Sequence, residues 1–328
     1  MTPMPEPSIA ILLPCHNEAV TIGQVVRAFR AALPRAAIYV YDNNSRDHTA
    51  EIARAAGAVV RSEILQGKGR VMRRMFRDIQ ADLYVIADGD DTYDAALAPA
   101  MIALARSGPY DLINCVRRDS DDAAYRGGHR LGNRLLTGAV RLIFGDRVED
   151  MLSGYKVLSR RFVKSFPVLS NGFDIETELT IHALELAMPV AHLGGEYRAR
   201  PAGSESKLRT YRDGFRILGM IIRLLRSERP LAFFSTLALV AFACAGVLIE
   251  PVIRTYAATG LVPRLPTAVL ATGIVIAGAL SLTTGIILDT VTRGRREMRL
   301  LAYLQHEAPS VADIGSASHQ ARSLQTAL

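Results

Sequence analysis

Two long uncharged segments near the C-terminal end most constrain how this chain can fold. Residues 231–249 (LAFFSTLALVAFACAGVLI) number 19, residues 268–288 (AVLATGIVIAGALSLTTGIIL) number 21, and neither segment contains a charged side chain. As α-helices they would be about 28 and 31 Å long, close to the ~30 Å hydrocarbon core of a bilayer. A pair of buried core helices is the alternative, and it is less favoured because two such segments follow one another. We therefore predict transmembrane helices at 230–250 and 267–289.

Arginines flank the two segments unevenly, and their distribution predicts an orientation. Positively charged residues beside a span favour the cytoplasmic side of the membrane. Both termini and the large N-terminal region are therefore predicted to be cytoplasmic, in a multi-pass protein of the cytoplasmic (inner) membrane. Nine flanking arginines are counted outside the pair of segments and two between them: Arg212, Arg216, Arg223, Arg226, Arg229, Arg293, Arg295, Arg296 and Arg299, against Arg254 and Arg264.

The overall charge is also positive, because 39 Lys and Arg residues exceed 32 Asp and Glu residues by seven. We interpret this excess as attraction to a membrane surface and expect no nucleic-acid partner, since no basic patch with interleaved aromatic residues lies on a known module. In residues 208–229, arginines flank an apolar stripe at helical spacing. That pattern predicts a juxtamembrane amphipathic helix, and an ordinary packed helix of the N-terminal domain is the alternative.

The N-terminal two thirds of the chain alternate short apolar strands with helical stretches. This alternation predicts an α/β fold with a mostly parallel sheet and helices on both faces. Predicted strands at 9–13, 37–41 and 83–87 each run into a polar cluster. Because ligands of such sheets bind beyond the carboxyl ends of the strands, we expect these clusters to converge on one site. The tail, residues 305–328, is rich in Ala, Ser and Gln and is predicted to be disordered.

The main chemical signal is the acidic run Asp88, Gly89, Asp90 and Asp91, which directly follows a predicted strand. Closely spaced carboxylates hold hard divalent cations such as Mg²⁺ or Mn²⁺, which also bind substrate phosphates. An acidic turn without a metal is the alternative. Lys68, between two glycines, could contact a phosphate, but the chain lacks the GxxxxGK[ST] pattern of a P-loop and lacks GxGxxG after a strand.

Five motifs follow one another along the chain: 13–18 (LPCHNE), 42–49 (DNNSRDHT) with 67–69 (GKG), 88–91 (DGDD), 150–156 (DMLSGYK) and 203–207 (GSESK). With these motifs the chain resembles glycosyltransferase family 2, and within it the polyprenyl-phosphate (dolichol-phosphate) hexosyltransferases. The resemblance covers about residues 8–290. It implies a GT-A catalytic domain at 1–207 that transfers a hexose from a nucleotide-diphosphate sugar to a lipid phosphate, with inversion at the anomeric carbon.

The same resemblance implies roles for individual residues. Asp88 and Asp90 match the DXD motif that holds the metal, and together with Asp91 they form the implied catalytic set. Thr92 stands where some family members carry a glutamine that completes the metal shell, so Asp91 is an alternative ligand. The implied donor-binding residues are Pro14, Asn17, Glu18, Asp42, Asn44, Lys68, Asp88, Gly89, Asp90, Arg200 and Lys207, and the implied acceptor-binding residues are Arg117, Arg130 and Ser153.

The chemistry of the acceptor leaves two kinds of reaction open. A phosphate monoester has a second pKa of about 6 and is mostly a dianion at neutral pH, so it needs cations to position it but no general base. A membrane glycosyltransferase that uses a hydroxyl acceptor on a glycan or lipid-linked oligosaccharide would need such a base, and Asp150 and Glu176 are available for that role. A catalytically silent nucleotide-sugar-binding subunit is a third reading, which the intact acidic motif disfavours. The sequence is compatible with a homo-oligomer and does not identify the sugar.

Overall fold

A computed structural model of the chain describes residues 7–119, 149–198 without 171 and 173, and 222–309, together with the single positions 138 and 219. The chain divides into two compact units. The first comprises residues up to 214 and from 299 onward, and the second comprises residues 215–298.

The first unit is built on a seven-stranded sheet in the order β3-β2-β1-β4-β6-β5-β7. Six strands run parallel, and β6 runs antiparallel to both of its neighbours, β4 and β5. The predicted α/β fold with a mostly parallel sheet is thereby confirmed. The strands are β1 Ile9–Cys15, β2 Ala37–Asp42, β3 Val59–Ser62, β4 Leu83–Ile86, β5 Leu112–Asp119, β6 Lys156–Ser159 and β7 Val190–Tyr197.

Helices cover both faces of this sheet because both faces of its central strands are apolar. Along β1, Ile11 and Leu13 pack into one buried cluster, whereas Ala10 and Leu12 pack into the cluster on the opposite face. Successive side chains of a strand point to opposite faces, so a continuous apolar run buries both. The helices are α1 Ile22–Ala32, α2 Thr49–Ala55, α3 Lys68–Asp78, α4 Ala98–Ser107, α5 Arg160–Ser165 and α6 Ile175–Glu185.

The second unit contains α7 Pro230–Thr259 and most of α8 Leu265–Leu304, two helices that are long and apolar enough to cross a membrane. The predicted spans 230–250 and 267–289 lie inside them, and both helices continue beyond those limits. Only 11% of the most apolar window of either helix is buried. Glycine lets the two helices approach closely, since a Cβ built on Gly278 would lie 2.7 Å from a ring atom of Phe242.

The two other regions predicted from the C-terminal half are described only in part. Of the predicted amphipathic helix at 208–229, residues 222–228 are helical, and most of the remainder lies outside the described residues. Of the predicted disordered tail, residues 310–328 also lie outside them.

Candidate active site

The carboxyl ends of β1, β2 and β4 meet at one edge of the sheet. Cys15 pairs with Asp42 in the register of β1 and β2, and Leu12 pairs with Ile86 in the register of β1 and β4. The loops that follow these strands therefore start side by side, as the parallel arrangement predicts. These loops carry the residues singled out from the sequence at 16–18, 42–45 and 88–91.

Hydrogen bonds join these three loops to one another. The Asn17 backbone N–H donates to Ser45 Oγ at 2.9 Å, and Asn17 Oδ1 accepts from the Arg46 N–H at 2.8 Å. Between the first and third loops, Thr21 Oγ1 donates to the Gly89 carbonyl at 2.7 Å. Pro14 lies half-buried in β1, and the Glu18 N–H donates to Thr49 Oγ1 at 2.9 Å. The residues of these loops that were predicted to bind the sugar donor thus lie close together.

Each of the three loops contains one residue in the left-handed backbone region. The φ angles are 53° at Asn17, 62° at Asn44 and 60° at Asp91. Asn and Asp adopt this region more readily than other side chains, yet it still carries backbone strain. Such strain persists only where the surroundings hold the chain, and it is concentrated at functional sites.

Asp42 has a buried carboxylate oxygen that no described residue satisfies. The residue is 8% exposed, and within the described part of the chain its Oδ1 has no hydrogen-bond partner. Its Oδ2 accepts from the Ser45 N–H at 3.4 Å. Leaving a buried acceptor unsatisfied costs about 1–3 kcal/mol, so a bound hydroxyl or N–H donor would recover that free energy.

Lys68 lies at the start of α3 and reaches Asp88 rather than open solvent. Its Nζ lies 2.5 Å from Asp88 Oδ1, and it also forms an ion pair with Glu176 at the start of α6. Burial alone would lower the pKa of Lys68, but the charges of Asp88 and Glu176 outweigh burial and raise it. The lysine is therefore a fixed cation inside the acidic motif.

The acidic run places its three carboxylates in different surroundings. Asp90 is buried, and its Oδ1 accepts from Thr92 Oγ1 at 2.6 Å. Asp91 is partly exposed, and burial raises its pKa although Arg198 opposes the shift. Gly89 separates Asp88 from Asp90, and a Cβ built there would lie 2.6 Å from Cys15 Sγ, which explains the need for glycine.

Asp88 and Asp90 stay a predicted, partial ligand set for a divalent cation. Among the described residues no three His, Cys, Asp or Glu side chains are grouped so that they could hold a metal. Two carboxylate ligands are nevertheless the usual protein contribution to a magnesium site, where water and substrate phosphates supply the other oxygens. Thr92 donates to Asp90, so its hydroxyl orients a predicted ligand.

Arg117, which was predicted to bind the sugar acceptor, forms an ion pair with Asp150 in the structure. Its Nε and one terminal nitrogen lie 2.7 and 2.9 Å from the two oxygens of Asp150. Burial alone would raise the pKa of Asp150, but Arg117 outweighs burial and lowers it. Ser153, the other described acceptor candidate, is buried, and its Oγ lies within hydrogen-bond distance of the Tyr155 backbone. The acceptor roles of Arg117 and Ser153 stay predictions.

A buried lysine lies beside the acidic motif and was not predicted as a site residue. Lys156 Nζ donates to Asn114 Oδ1 at 2.5 Å, and burial lowers the pKa of Lys156 to about 8. It lines a small cavity together with Lys68, Ser153, Gly154 and Glu176. The 150–156 motif was the available sequence signal for this residue. Arg130, Arg200 and Lys207, the remaining predicted site residues, lie outside the described residues.

The sequence of this chain is similar to those of known glycosyltransferases. Residues 10–166 match the sequence profile of "Glycosyl transferase family 2". Glycosyltransferase AglJ of Haloferax volcanii is 34% identical over 235 residues, which cover 71% of this chain and 77% of AglJ. The undecaprenyl-phosphate 4-deoxy-4-formamido-L-arabinose transferase of Pseudomonas aeruginosa is 30% identical over 194 residues, which cover 53% of this chain and 56% of that protein.

A solved structure shares the fold. Glucosyl-3-phosphoglycerate synthase from Mycobacterium tuberculosis, crystallised with Mn²⁺, UDP-glucose and glycerol 3-phosphate, superposes with a TM-score of 0.56 at 24% sequence identity. The match covers 68% of this chain and 80% of the synthase. At this identity the likeness is one of fold.

Proposed function

Because the chain belongs to glycosyltransferase family 2 and is therefore a glycosyltransferase, we propose that it transfers a hexose from a nucleotide-diphosphate sugar to a polyprenyl phosphate. The transfer inverts the anomeric carbon and takes place at the cytoplasmic face of a membrane. Support comes from the Pseudomonas aeruginosa relative, which is named as an undecaprenyl-phosphate 4-deoxy-4-formamido-L-arabinose transferase. The two apolar helices α7 and α8 support a membrane location.

The observation that carries the choice of a phosphate acceptor is the ion pair of Arg117 and Asp150. A carboxylate whose pKa is lowered, and whose two oxygens each accept from one guanidinium, is a poor proton acceptor at neutral pH. A phosphate dianion needs no proton acceptor, because it is already ionised when it attacks. The site then has to bind and orient the lipid phosphate and to exclude water.

On the donor side, Asp42 would accept a hydrogen bond from the nucleoside, because its Oδ1 is buried and unpartnered among the described residues. Asp88 and Asp90 would hold a divalent cation, Mg²⁺ or Mn²⁺, together with oxygens of the donor. That cation, when bound, neutralises the negative charge that develops on the departing diphosphate. Lys68, fixed at the same edge, adds a second positive charge there.

A direct assay tests the proposal. Membranes that contain the protein are incubated with radiolabelled nucleotide sugars and undecaprenyl phosphate, and the labelled lipid is identified. We expect a polyprenyl monophosphate sugar whose formation needs Mg²⁺ or Mn²⁺ and is absent from membranes with Asp90→Asn. Label that appears only in a longer glycan or a lipid-linked oligosaccharide would contradict the proposed acceptor.

The hydroxyl-acceptor alternative keeps one observation in its favour. Glu176 lies in the same cavity as Gly154 and Lys156, and burial raises the pKa of Glu176 although Lys68 opposes the shift. A carboxylate with a raised pKa is suited to general-base work. Loss of turnover in Glu176→Gln at saturating metal and donor would favour this alternative.

A further inference from the structure

Three charged side chains form a row at the candidate active site: Asp88, Lys68 and Glu176. Lys68 lies between the two acids and pairs with both. The side chains of Lys68 and Glu176 are 11% and 10% exposed, whereas that of Asp88 is 28% exposed. Glu176 therefore forms the inner end of the row, and Asp88 forms the end that a ligand reaches.

A divalent cation at Asp88 would compete with Lys68 for the same carboxylate. Lys68 Nζ lies 2.5 Å from Asp88 Oδ1, a distance at which the ammonium group occupies the position of a metal bound to that oxygen. A buried ammonium group that loses its only counterion is strongly destabilised, because its desolvation is then uncompensated. Lys68 avoids this cost only if a second acid holds it, and Glu176 is the acid that does so.

We propose that Glu176 is a positioning residue, which retains Lys68 by an ion pair when a divalent cation takes Asp88, so that the lysine stays in the site beside the donor diphosphate. The inference rests on the proposed function, since it assumes a metal at Asp88. It assigns Glu176 a purpose other than proton transfer, and it explains why an acid that is nearly inaccessible faces the acidic motif.

The surroundings of Glu176 support this assignment. Glu176 and Lys68 line one cavity with Lys156 and with the apolar side chains of Met72 and Ile86, where ion pairs are weakly screened. The other acid in the first turn of α6, Glu178, is engaged elsewhere, because it accepts from the N–H groups of Leu169 and Ser170 at 2.8 and 2.9 Å. Glu178 therefore provides a control with the same charge on the same helix.

The test measures Mn²⁺ binding without turnover. The full chain in detergent is titrated with Mn²⁺ in the presence of UDP and without any acceptor, and the free ion is followed by electron paramagnetic resonance. We expect Glu176→Gln to weaken Mn²⁺ binding about ten- to a hundredfold, because Lys68 then depends on Asp88 alone. Glu178→Gln should stay within about twofold of the wild type. Glu176→Asp, which keeps the charge, should recover most of the affinity, and circular-dichroism melting checks that each variant is folded.

A double-mutant cycle with Lys68→Met separates positioning from simple charge attraction. If Glu176 acts through Lys68, Glu176→Gln should change Mn²⁺ affinity by no more than about twofold once Lys68 is replaced. An equal loss of affinity in both backgrounds, or no loss in either, would overturn the inference. Failure of the proposed function gives a different result: wild-type protein that binds Mn²⁺ and shows this coupling but does not glycosylate undecaprenyl phosphate.

Discussion

The guanidinium of Arg117 donates two hydrogen bonds to the carboxylate of Asp150, across 33 positions of the chain and between a partly buried arginine and a buried aspartate. The pair joins the end of β5 to the segment that leads into β6. Asp150 also accepts from the Leu152 N–H at 3.2 Å, so the same carboxylate shapes the turn before Ser153 and Gly154. This ion pair therefore fixes the end of β5 against the turn that precedes β6.

Breaking this pair should affect stability more than chemistry. Asp150→Asn removes the carboxylate charge that pairs with Arg117, and removing one partner of a buried ion pair typically costs about 3–5 kcal/mol. We expect a clearly lower melting temperature in detergent, with kcat reduced much less than in Asp90→Asn. Unchanged melting combined with lost turnover would instead identify Asp150 as a general base.

Acidification should remove the stabilisation that Asp150 contributes. Its pKa is lowered in the folded protein, so the ion pair stabilises the fold at every pH above the unfolded value of about 3.9. That contribution is lost as the pH falls through the lower, folded value. The melting temperatures of the wild type and Asp150→Asn should therefore converge below about pH 4, and a difference that is independent of pH would exclude this linkage.

The DXD assignment predicts that Asp90→Asn abolishes transfer in a folded protein. Loss of a metal ligand removes several kcal/mol of charge stabilisation, which corresponds to a fall in turnover of about a thousandfold or more. Thr92→Val, which removes only the hydrogen bond to Asp90, is the milder companion variant. Near-wild-type turnover of Asp90→Asn at saturating Mg²⁺ or Mn²⁺ would refute the metal site.

Asp42 should contribute to donor binding. Replacing it with Asn removes the charge of an oxygen that no described residue satisfies, and we expect KM for the nucleotide sugar to rise about tenfold or more while kcat changes little. Titration calorimetry with the nucleoside diphosphate measures the same loss without turnover. Asp82→Asn, at the opposite end of β4, changes the net charge equally and should leave KM unaltered.

Cysteine labelling tests the proposed topology. In a background without Cys15, Cys115 and Cys244, a cysteine at Thr259 should react with a membrane-impermeant maleimide added to intact cells, and one at Glu307 should not. Both positions are exposed in the structure. The reverse pattern would place the candidate active site away from cytoplasmic nucleotide sugars and would contradict the proposed function.

Much of the fold follows from local sequence patterns. The predicted strand at 37–41 and the observed strand Ala37–Asp42 differ by a single residue, because the apolar run marks this element locally. The insertion of the antiparallel strand β6 between β4 and β5 was not predicted, since the pairing of Val85 with Val157 depends on contacts between distant segments.

The same distinction holds for the site. The convergence of Asn17, Asp42 and Asp88 could be predicted, because parallel strands bring their carboxyl ends together. The partners of Lys68 and Arg117 could not, because Glu176 and Asp150 lie 108 and 33 positions away and come close only through the packing of α6 and β6. An acid in the first turn of a helix is also common because it interacts favourably with the positive end of the helix dipole. The position of Glu176 therefore gave no sign of its ion pair with Lys68.

The left-handed residues of the three loops carry a consequence for engineering. Asn44 is exposed at φ 62°, a position where glycine would be free of strain. Backbone strain of this kind is concentrated at functional sites, so relieving it in these loops is expected to change the chemistry as well as the stability. Attempts to make this chain more thermostable should therefore leave these loops alone and begin on the far side of the sheet.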